Sequence, residues 1–198
     1  MLHRVTKTLE TAGVTYWLDH GTLLGIVREQ RLLPWDTDMD ITVPAASLPQ
    51  LHAAMPALKA MGLRLRLRKQ PCDADAWKRG MPRLVKVRNT RFRIFRGDLL
   101  LDIFIAWRHA DRYHWSLWKH DDHSLQVRSV PAHFFDALGT VEFDGRSWPI
   151  PSSIEEYLTA RYGNWRQPVC SWNCHADEAA AAGASSAVTF QHIAVDGN

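Results

Sequence analysis

The chain has 198 residues, of which 46% are hydrophobic and 23% charged, and this mixture excludes a chain that is disordered throughout. No stretch approaches the roughly 18 consecutive apolar residues that a membrane-spanning helix needs, and the first residues lack the apolar core of a secretory signal. Three cysteines are too few for a disulfide scaffold. We therefore expect a cytoplasmic protein without a membrane span.

The formal net charge of +3 hides a polarised chain. Residues 64–96 carry twelve of the 24 Lys and Arg but two of the 21 Asp and Glu, a local excess of +10. The rest of the chain has twelve basic and nineteen acidic residues and therefore a charge of −7. Such an asymmetry favours a binding partner that is an anion.

Hydrophobic periodicity predicts the elements in chain order. Helices are predicted over 2–12, 22–29 and 47–61, and strands over 14–18, 39–43, 63–69, 83–88, 91–96 and 99–106. Residues 111–150 show no clear periodicity, and a helix is predicted over 153–162, where Ser152 or Ser153 has capping-box spacing to Glu155 or Glu156. We expect one domain over residues 1–175 and a disordered tail, rich in Ala, Ser and Gly, over 176–198.

Three acids stand at alternate positions, Asp36, Asp38 and Asp40, at the start of a predicted strand. Residues two apart share one face of a strand, so Asp38 and Asp40 point the same way, and Asp36 joins them if the chain is already extended there. Carboxylates this close repel one another unless a cation lies between them, and Mg²⁺ suits such a group. An EF-hand loop is excluded, because Ile41 replaces its glycine and Ser47 its glutamate. The alternative is a solvated turn.

A further acid, Asp102, interrupts the otherwise apolar strand over 99–106. A buried carboxylate without a partner is costly, so this side chain needs a positive group beside it. Two partners remain open, a Lys or Arg of the basic segment 64–96 or the cation held by Asp38 and Asp40.

A glycine turn connects the first predicted strand to the next helix. Gly21 permits a tight turn or close approach to a ligand, and the helix start at Thr22 suits a phosphate. Arg28, further along the helix, is placed to reach the same phosphate. The alternatives are turn geometry for Gly21 and a surface salt bridge for Arg28. Gly25, inside the helix, indicates close packing on a neighbour or a ligand.

The basic segment has candidate phosphate ligands of its own. Lys86, Arg88 and Arg91 precede the Asp102 strand and are placed to contact donor phosphates or an anionic acceptor. The alternative is a solvated sheet face, and nucleic acid is not expected, because no nucleic-acid-binding motif is present. A zinc site on Cys170, Cys174 and His175 lacks a fourth ligand, so reduced thiols are expected there.

Three parts of the sequence carry a resemblance to a known family. They are the segment Trp17–Gly25, the segment Leu33–Ile41 with its Pro-Trp-Asp-x-Asp-x-Asp motif, and the strand Leu101–Phe104. Together with a supporting block over 141–165, they resemble the LicD family of the nucleotidyltransferase superfamily, which includes bacterial phosphocholine transferases and fukutin-related proteins. The resemblance covers about residues 14–168. Thr37 stands where the family often carries another acid.

The resemblance implies an α+β fold with a mixed sheet flanked by helices. It further implies transfer of a phospho-substituent, such as phosphocholine, from a CDP-linked donor to a hydroxyl of a glycan or a cell-surface polysaccharide precursor. It implies that Mg²⁺ or Mn²⁺ is the cofactor and that one carboxylate orients or deprotonates the acceptor hydroxyl. The residues that it assigns are Asp38, Asp40 and Asp102 for the metal, and Gly21 and Thr22 for donor phosphates. Asp36 either assists at the metal or holds Arg28 or the loop. Arg28, Lys86 and Arg88 are further donor-phosphate candidates, chosen from their positions in the sequence.

Two other hypotheses stay open from the sequence. One is a nucleotidyltransferase that adds a nucleotide from an NTP to a protein, an RNA or a small molecule. It would release pyrophosphate, whereas the phosphotransferase would release a nucleoside monophosphate. The other is a binding module whose acidic cluster is catalytically inactive.

Overall fold

The structure, a computed structural model, describes residues 1–91, 95–119, 123–168 and 189–194. Its contacts divide the chain into two compact units, the first made of Met1–Gln70 and Met81–Ala106 and the second of Pro71–Gly80 and the chain from Trp107 onward. Strand β5 (Phe95–His109) has residues in both units. The expectation of one domain over residues 1–175 therefore stays a prediction.

The first unit confirms the expected α+β fold, a mixed sheet with helices. Its other strands are β1 (Trp17–Leu18), β2 (Asp38–Pro44), β3 (Arg64–Lys69) and β4 (Pro82–Arg91). Its helices are α1 (Leu2–Thr11), α2 (His20–Glu29) and α3 (Leu48–Ala60), with a 3-10 turn at Ala45–Ser47. The strand order is β1-β2-β5-β4-β3, in which β2 and β5 run parallel and all other neighbours run antiparallel.

One face of this sheet is polar. Three rows of paired residues cross it from β2 to β3, and paired residues on neighbouring strands present their side chains on the same face. The rows are Asp38–Leu100–Arg88–Arg64, Asp40–Asp102–Lys86–Arg66 and Thr42–Phe104–Leu84–Arg68. This face, hereafter the polar face, therefore has its acids at one end and most of its bases at the other.

The opposite face is apolar and forms the core of the unit. Its central row contains Ile41, Ile103 and Val85, each of which is at most 1% exposed. Helices α1 and α3 contact each other and bury their own apolar stripes, including Val5 and Leu58. Full burial of one such side chain stabilises the fold by about 1.5–3 kcal/mol. The apolar alternation thus fixes which way the charged residues of β2 face.

Helices α1 and α3 and strands β2 and β3 lie within two residues of the sequence prediction, whereas β4 and β5 extend three residues beyond their predicted ends. Three further places differ. The strand predicted over 14–18 is only two residues long. Helix α2 begins at His20 rather than at 22, because the Asp19 carboxylate accepts a hydrogen bond from the His20 N–H and caps the helix. The strand predicted over 91–96 lies partly outside the described residues; Arg91 ends β4 and Phe95 begins β5.

The second unit is mainly antiparallel. Its strands are β6 (Arg112–Lys119), β7 (Ser124–Pro131), β8 (Gly139–Phe143), β9 (Arg146–Ile150) and β10 (Thr189–Ala194), and its helices are α4 (His133–Asp136) and α5 (Ile154–Tyr162). Strands β6, β7 and β10 are neighbours in that order, and β8 pairs with β9. The predicted capping box of α5 is wrong: Ser153 makes no side-chain cap, and the Ser152 hydroxyl donates to the carbonyls of His133 and Phe134.

Three sequence-based expectations concern regions that the structure covers incompletely. The predicted tail over 176–198 lies outside the described residues apart from Thr189–Ala194, which form β10. Cys170, Cys174 and His175 also lie outside the described residues. Among the residues that are described, no helix combines the length and apolar character needed to cross a membrane. The cytoplasmic location stays a prediction.

Candidate functional site

The segment from β1 through α2 to β2 is held together by polar contacts. The Asp19 carboxylate accepts a hydrogen bond from the Thr42 hydroxyl at 2.8 Å in addition to the one from the His20 N–H at 2.8 Å. The Thr22 hydroxyl in turn accepts a hydrogen bond from the backbone N–H of Asp40 at 2.8 Å. These bonds connect the first turn of α2 to the strand that carries the acidic cluster.

The structure brings the three acids of the sequence motif together. One carboxylate oxygen from each of Asp36, Asp38 and Asp40 lies within 4.8 Å of the other two. Asp40 is only 8% exposed, whereas Asp36 and Asp38 are half-buried. A backbone hydrogen bond from the N–H of Asp36 to the carbonyl of Leu33 holds the turn that brings Asp36 back to the strand. We call these three residues the acidic cluster.

The cluster is electrostatically strained in the absence of a cation. The pKa of Asp36 is raised from 3.8 to about 6. The main cause is burial, and a hydrogen bond with Asp38 and repulsion by its carboxylate add to the shift. Burial first, and then repulsion by Asp38, Asp36 and Asp102, raises the pKa of Asp40 well above its ordinary value. A divalent cation would remove this repulsion, and an all-oxygen donor set suits Mg²⁺ or Mn²⁺. The residues therefore fit the predicted metal.

Gly21 lies against the acidic cluster. A β-carbon at this position would collide with the carboxylate of Asp36 and would lie 3.9 Å from Oδ2 of Asp40. A side chain at position 21 would therefore force the Asp36 carboxylate to move away from its place in the cluster. A cleft of about 140 Å³ opens at this point, and its lining includes Gly21, Thr22, Asp36, Asp38, Leu32 and Leu99.

Gly25 explains how the chain returns from α2 to the cluster. A β-carbon there would lie 2.7 Å from the carbonyl oxygen of Arg31 and 3.0 Å from Cγ of Leu33. The helix thus packs directly on the loop that follows it, and this contact is the close packing that the sequence indicated. The loop leads from Leu33 into the turn at Asp36.

Asp102 has a lysine partner. Its Oδ2 accepts a hydrogen bond from Nζ of Lys86 at 2.6 Å, in an ion pair across neighbouring strands. Its other oxygen, Oδ1, is buried and has no hydrogen-bond partner among the described residues. Burial raises the pKa of Asp102 although the hydrogen bond from Lys86 opposes this shift. The carboxylate lies outside the compact cluster, although Asp102 pairs with Asp40 in the sheet, so its role as a metal ligand stays a prediction.

The predicted phosphate ligands have contacts of their own. Arg28 binds the carboxylate of Glu29 through Nε at 3.0 Å and Nη2 at 2.5 Å, as the salt-bridge alternative requires. Nη1 of Arg88 donates a hydrogen bond to the carbonyl of Gly97 at 3.0 Å. Lys86 lies between Arg66 and Asp102 in the central row of the polar face. Phosphate binding by these side chains stays a prediction, and the side chain of Arg91 lies outside the described part.

Comparison with known proteins decides the family. Residues 13–153 match the family model described as "LicD/FKTN/FKRP, nucleotidyltransferase domain". The chain belongs to the LicD family. The match covers most of the first unit with its acidic cluster, and it extends as far as β8 and β9 in the second unit.

Individual relatives of this LicD domain are distant and longer. The mouse protein named ribitol-5-phosphate transferase FKTN is 25% identical over 183 residues, which cover 87% of this chain and 34% of the relative. The human ribitol 5-phosphate transferase FKRP is 26% identical over 162 residues, 80% of this chain and 30% of the relative. The chain thus spans about a third of the length of these relatives. A solved structure of ANT(2")-Ia in complex with adenylyl-2"-tobramycin aligns with 19% identity and a TM-score of 0.45, covering 93% of this chain and 87% of that one.

One residue of this LicD site was missed by the sequence reasoning. Asp19 is 2% exposed, caps α2 and contributes to the raised pKa of Asp40. An Asp directly before a helix start is a common N-cap signal, and it was available in the sequence. Its second hydrogen bond, to the Thr42 hydroxyl, joins residues 23 positions apart and could not be foreseen from local pattern.

Proposed function

We propose that this LicD domain transfers a phospho-substituent from a CDP-linked donor to a hydroxyl of a glycan with the help of a divalent cation. The observation that carries the proposal is the acidic cluster, in which three carboxylates converge within 4.8 Å beside the start of helix α2. A cation bound between these carboxylates would relieve their repulsion, and a cation beside a helix N-terminus suits a phosphate-bearing substrate.

Each part of the site has a separate task in this proposal. Asp38 and Asp40 hold Mg²⁺ or Mn²⁺. Asp36 is the third carboxylate of the cluster, and Asp102, which pairs with Asp40 on the neighbouring strand, is a further ligand. When bound, the cation supplies positive charge to the donor phosphates. The backbone at Gly21 and Thr22 borders the cleft that takes the diphosphate. The acceptor hydroxyl gives its proton to one of the carboxylates and attacks phosphorus, and CMP leaves with the bridging oxygen.

The names of the relatives support the proposal that the transferred group is a phospho-substituent. Mouse FKTN and human FKRP are both named as transferases of ribitol 5-phosphate. Because the chain covers about a third of each, we carry over only the class of reaction. The donor, the acceptor and the cation are our proposals, and each is tested separately.

The test uses the purified chain, Mg²⁺ or Mn²⁺, a panel of CDP-linked alcohols and a glycan acceptor. We expect CMP release that depends on the cation and stops with EDTA. Calorimetric titration with Mn²⁺ alone checks the metal site without any donor. Cation binding without CMP release from any CDP-linked donor would reject the proposed reaction but keep the metal site.

The second candidate is a nucleotidyltransferase, which the description of the matching family model as a nucleotidyltransferase domain favours. The same incubation with each NTP in place of the CDP-linked donor separates the two. Release of pyrophosphate supports this candidate, whereas release of CMP from a CDP-linked donor supports the phosphotransferase. A chain that binds the cation and releases neither product is a binding module.

A further inference from the structure

Most of the large apolar side chains that are exposed lie at one end of the first unit. In the described part of the chain, four of them are Leu32, Trp35, Phe95 and Leu99, with exposed fractions of 39%, 60%, 64% and 50%. The fifth, Leu67, lies apart from them on β3. We call the first four residues the apolar rim.

The apolar rim borders the mouth of the cleft beside the acidic cluster. Leu32 and Leu99 both line that cleft. Trp35 occupies the turn directly before Asp36, another residue of the lining. Phe95 lies four residues before Leu99 on β5, about 14 Å along the strand, and residues four apart share one side of a strand. The rim therefore begins at the cleft and extends outward along β5.

Strand pairing explains why the rim stands clear of the sheet. The described pairing of β5 with β2 starts at Asp38 and Leu100, so residues 95–99 lie beyond the start of β2. Five residues of a strand span about 17 Å. Strand β4 accompanies this extension, since Arg91 pairs with Phe95. The two strands thus project from the sheet and carry apolar side chains that a partner outside the fold could cover.

Basic residues surround the rim. The segment 83–99 carries six basic residues and one acid, Asp98. Nη1 of Arg88 donates a hydrogen bond to the backbone of β5 midway between its two rim residues. Arg4 is exposed and lines a second cavity, of about 180 Å³, together with Leu99. The rim therefore combines exposed apolar groups with positive charge.

Two acids of the acidic cluster also lie close to the rim. Asp36 and Asp38 are half-buried and line the cleft itself. Asp40, the third acid, is buried. The charge on the projecting strands outside the cleft is therefore set by the basic excess of the segment 83–99.

This combination fits a lipid surface better than a nucleic acid. Aromatic and basic side chains together are typical of single-stranded nucleic-acid binding, because aromatic rings stack on bases. Leu32 and Leu99, however, are aliphatic and have no ring to stack. Leucine, phenylalanine and tryptophan all enter the boundary between headgroups and acyl chains, and basic neighbours add attraction to anionic headgroups.

We infer that the apolar rim docks the first unit onto an anionic lipid bilayer. Trp35 and Phe95 enter the headgroup region, while Arg4 and Arg88 lie against anionic headgroups. The inference goes beyond the proposed function and does not depend on it, since docking needs no donor, acceptor or cation. Docking in this way places the mouth of the cleft beside the headgroups.

The test measures cosedimentation of the chain with vesicles, either of phosphatidylcholine alone or of an equimolar mixture with phosphatidylglycerol. We expect binding to the mixed vesicles that weakens as salt rises, and binding to the neutral vesicles that is about tenfold weaker or less. Trp35→Ser/Phe95→Ser should bind the mixed vesicles about tenfold more weakly, because two side chains no longer enter the bilayer. Thermal unfolding of each variant shows that the fold is retained.

The matched control replaces the exposed apolar residue that lies outside the rim. Leu67→Ser changes β3, the strand that also carries the exposed Arg64 and Arg66, and it should bind the mixed vesicles like wild type. Phe95→Ser, the single rim variant, should bind more weakly. Equal weakening by these two single variants would overturn the inference, because it would show a response to overall hydrophobicity alone.

Hydrogen exchange locates the docked surface in the unaltered chain and needs no variant. With the mixed vesicles, the backbone amides of residues 31–37 and 95–99 should exchange more slowly, whereas those of residues 64–69 should not change. Slower exchange in β3 alone would overturn the inference, because it would show that the exposed arginines there attract the bilayer by charge.

Three further outcomes also contradict the inference. They are unchanged vesicle binding by Trp35→Ser/Phe95→Ser, tighter binding of a DNA oligomer than of the mixed vesicles, and a dimer in sedimentation that Phe95→Ser dissociates. The last outcome would assign the rim to a second copy of the chain. A chain that docks but releases no CMP would reject the proposed function alone, and one that releases CMP but does not dock would reject this inference alone.

Discussion

The two ends of the polar face carry opposite charges, and they differ most in burial. At the acidic end, Asp40 and Asp102 are 8% and 4% exposed and have raised pKa values. At the basic end, Arg64 and Arg66 are exposed on an edge strand. The comparison teaches that the alternation of side chains along a strand places charges on one face of the sheet. Burial then decides whether a charge needs a partner of opposite charge. The buried carboxylates of the acidic end repel one another, whereas the exposed arginines of the basic end are solvated.

The largest effect is expected from neutralising the acidic end. Asp38→Asn/Asp40→Asn should abolish Mn²⁺ binding and reduce CMP release by about a thousandfold or more, because the charge that stabilises the transition state is lost. Titration calorimetry and the CMP assay measure the two effects. Asp144→Asn, an exposed acid between β8 and β9, is the control and should change neither. A double variant with full turnover would show that the cluster is not the active site.

A smaller effect is expected from crowding the cluster without changing its charge. Gly21→Ala places a β-carbon against the Asp36 carboxylate and should weaken Mn²⁺ binding about tenfold or more, as changes beside metal ligands do. Gly139→Ala is the matched control, because its β-carbon would meet its neighbours at 3.7 Å, an ordinary contact. Equal Mn²⁺ affinity in both variants would contradict the close approach of α2 to the cluster.

The ion pair between the two ends should have a moderate effect on stability. Lys86→Met leaves the Asp102 carboxylate buried without its partner and should lower the free energy of unfolding by about 1–2 kcal/mol, since Lys86 is itself partly exposed. Adding Asp102→Asn to Lys86→Met should restore part of this loss. Urea unfolding of both single variants and the double variant gives the coupling energy. A coupling energy of zero would refute the ion pair.

The raised pKa of Asp36 predicts a modest dependence of stability on pH. The folded state favours the protonated form, so this stabilisation is complete below pH 3.8 and is lost as pH rises through about 6. In EDTA, the melting temperature of wild type should therefore fall over this range relative to that of Asp36→Asn. With Mn²⁺ the trend should reverse, because protons compete with the cation for the carboxylates. Parallel melting curves for wild type and variant in EDTA would contradict the shift.

The smallest effect is expected from the basic end in the absence of ligand. Arg66→Ala should change the free energy of unfolding by less than about 0.5 kcal/mol, because the side chain is exposed and unpaired within the described residues. Urea unfolding of Arg66→Ala and of Lys86→Met under the same conditions compares their free energies of unfolding directly. A loss as large as that of Lys86→Met would show that Arg66 has a structural role.

Local patterns predicted much of the first unit, because strands and helices there have strong hydrophobic periodicity. The alternation of residues in β2 and β3 predicted that the charged side chains of each strand share one face, and the pairing of the strands agrees. The α+β fold is confirmed. The second unit was less predictable: residues 111–150 lack a clear pattern but form β6 through β9. Long-range strand pairing can stabilise such segments where local preference is weak.

The sequence by itself determined the family, the acidic motif and the separation of charge, because each depends on residue types at short spacing. Only the tertiary structure decided that Asp102 pairs with Lys86 and that Gly21 touches Asp36. It also decided that the arginines of β3 share a face with Asp38 and Asp40, across two intervening strands. These contacts join residues far apart in the chain, and strand order and register, which set them, are not encoded in any local pattern.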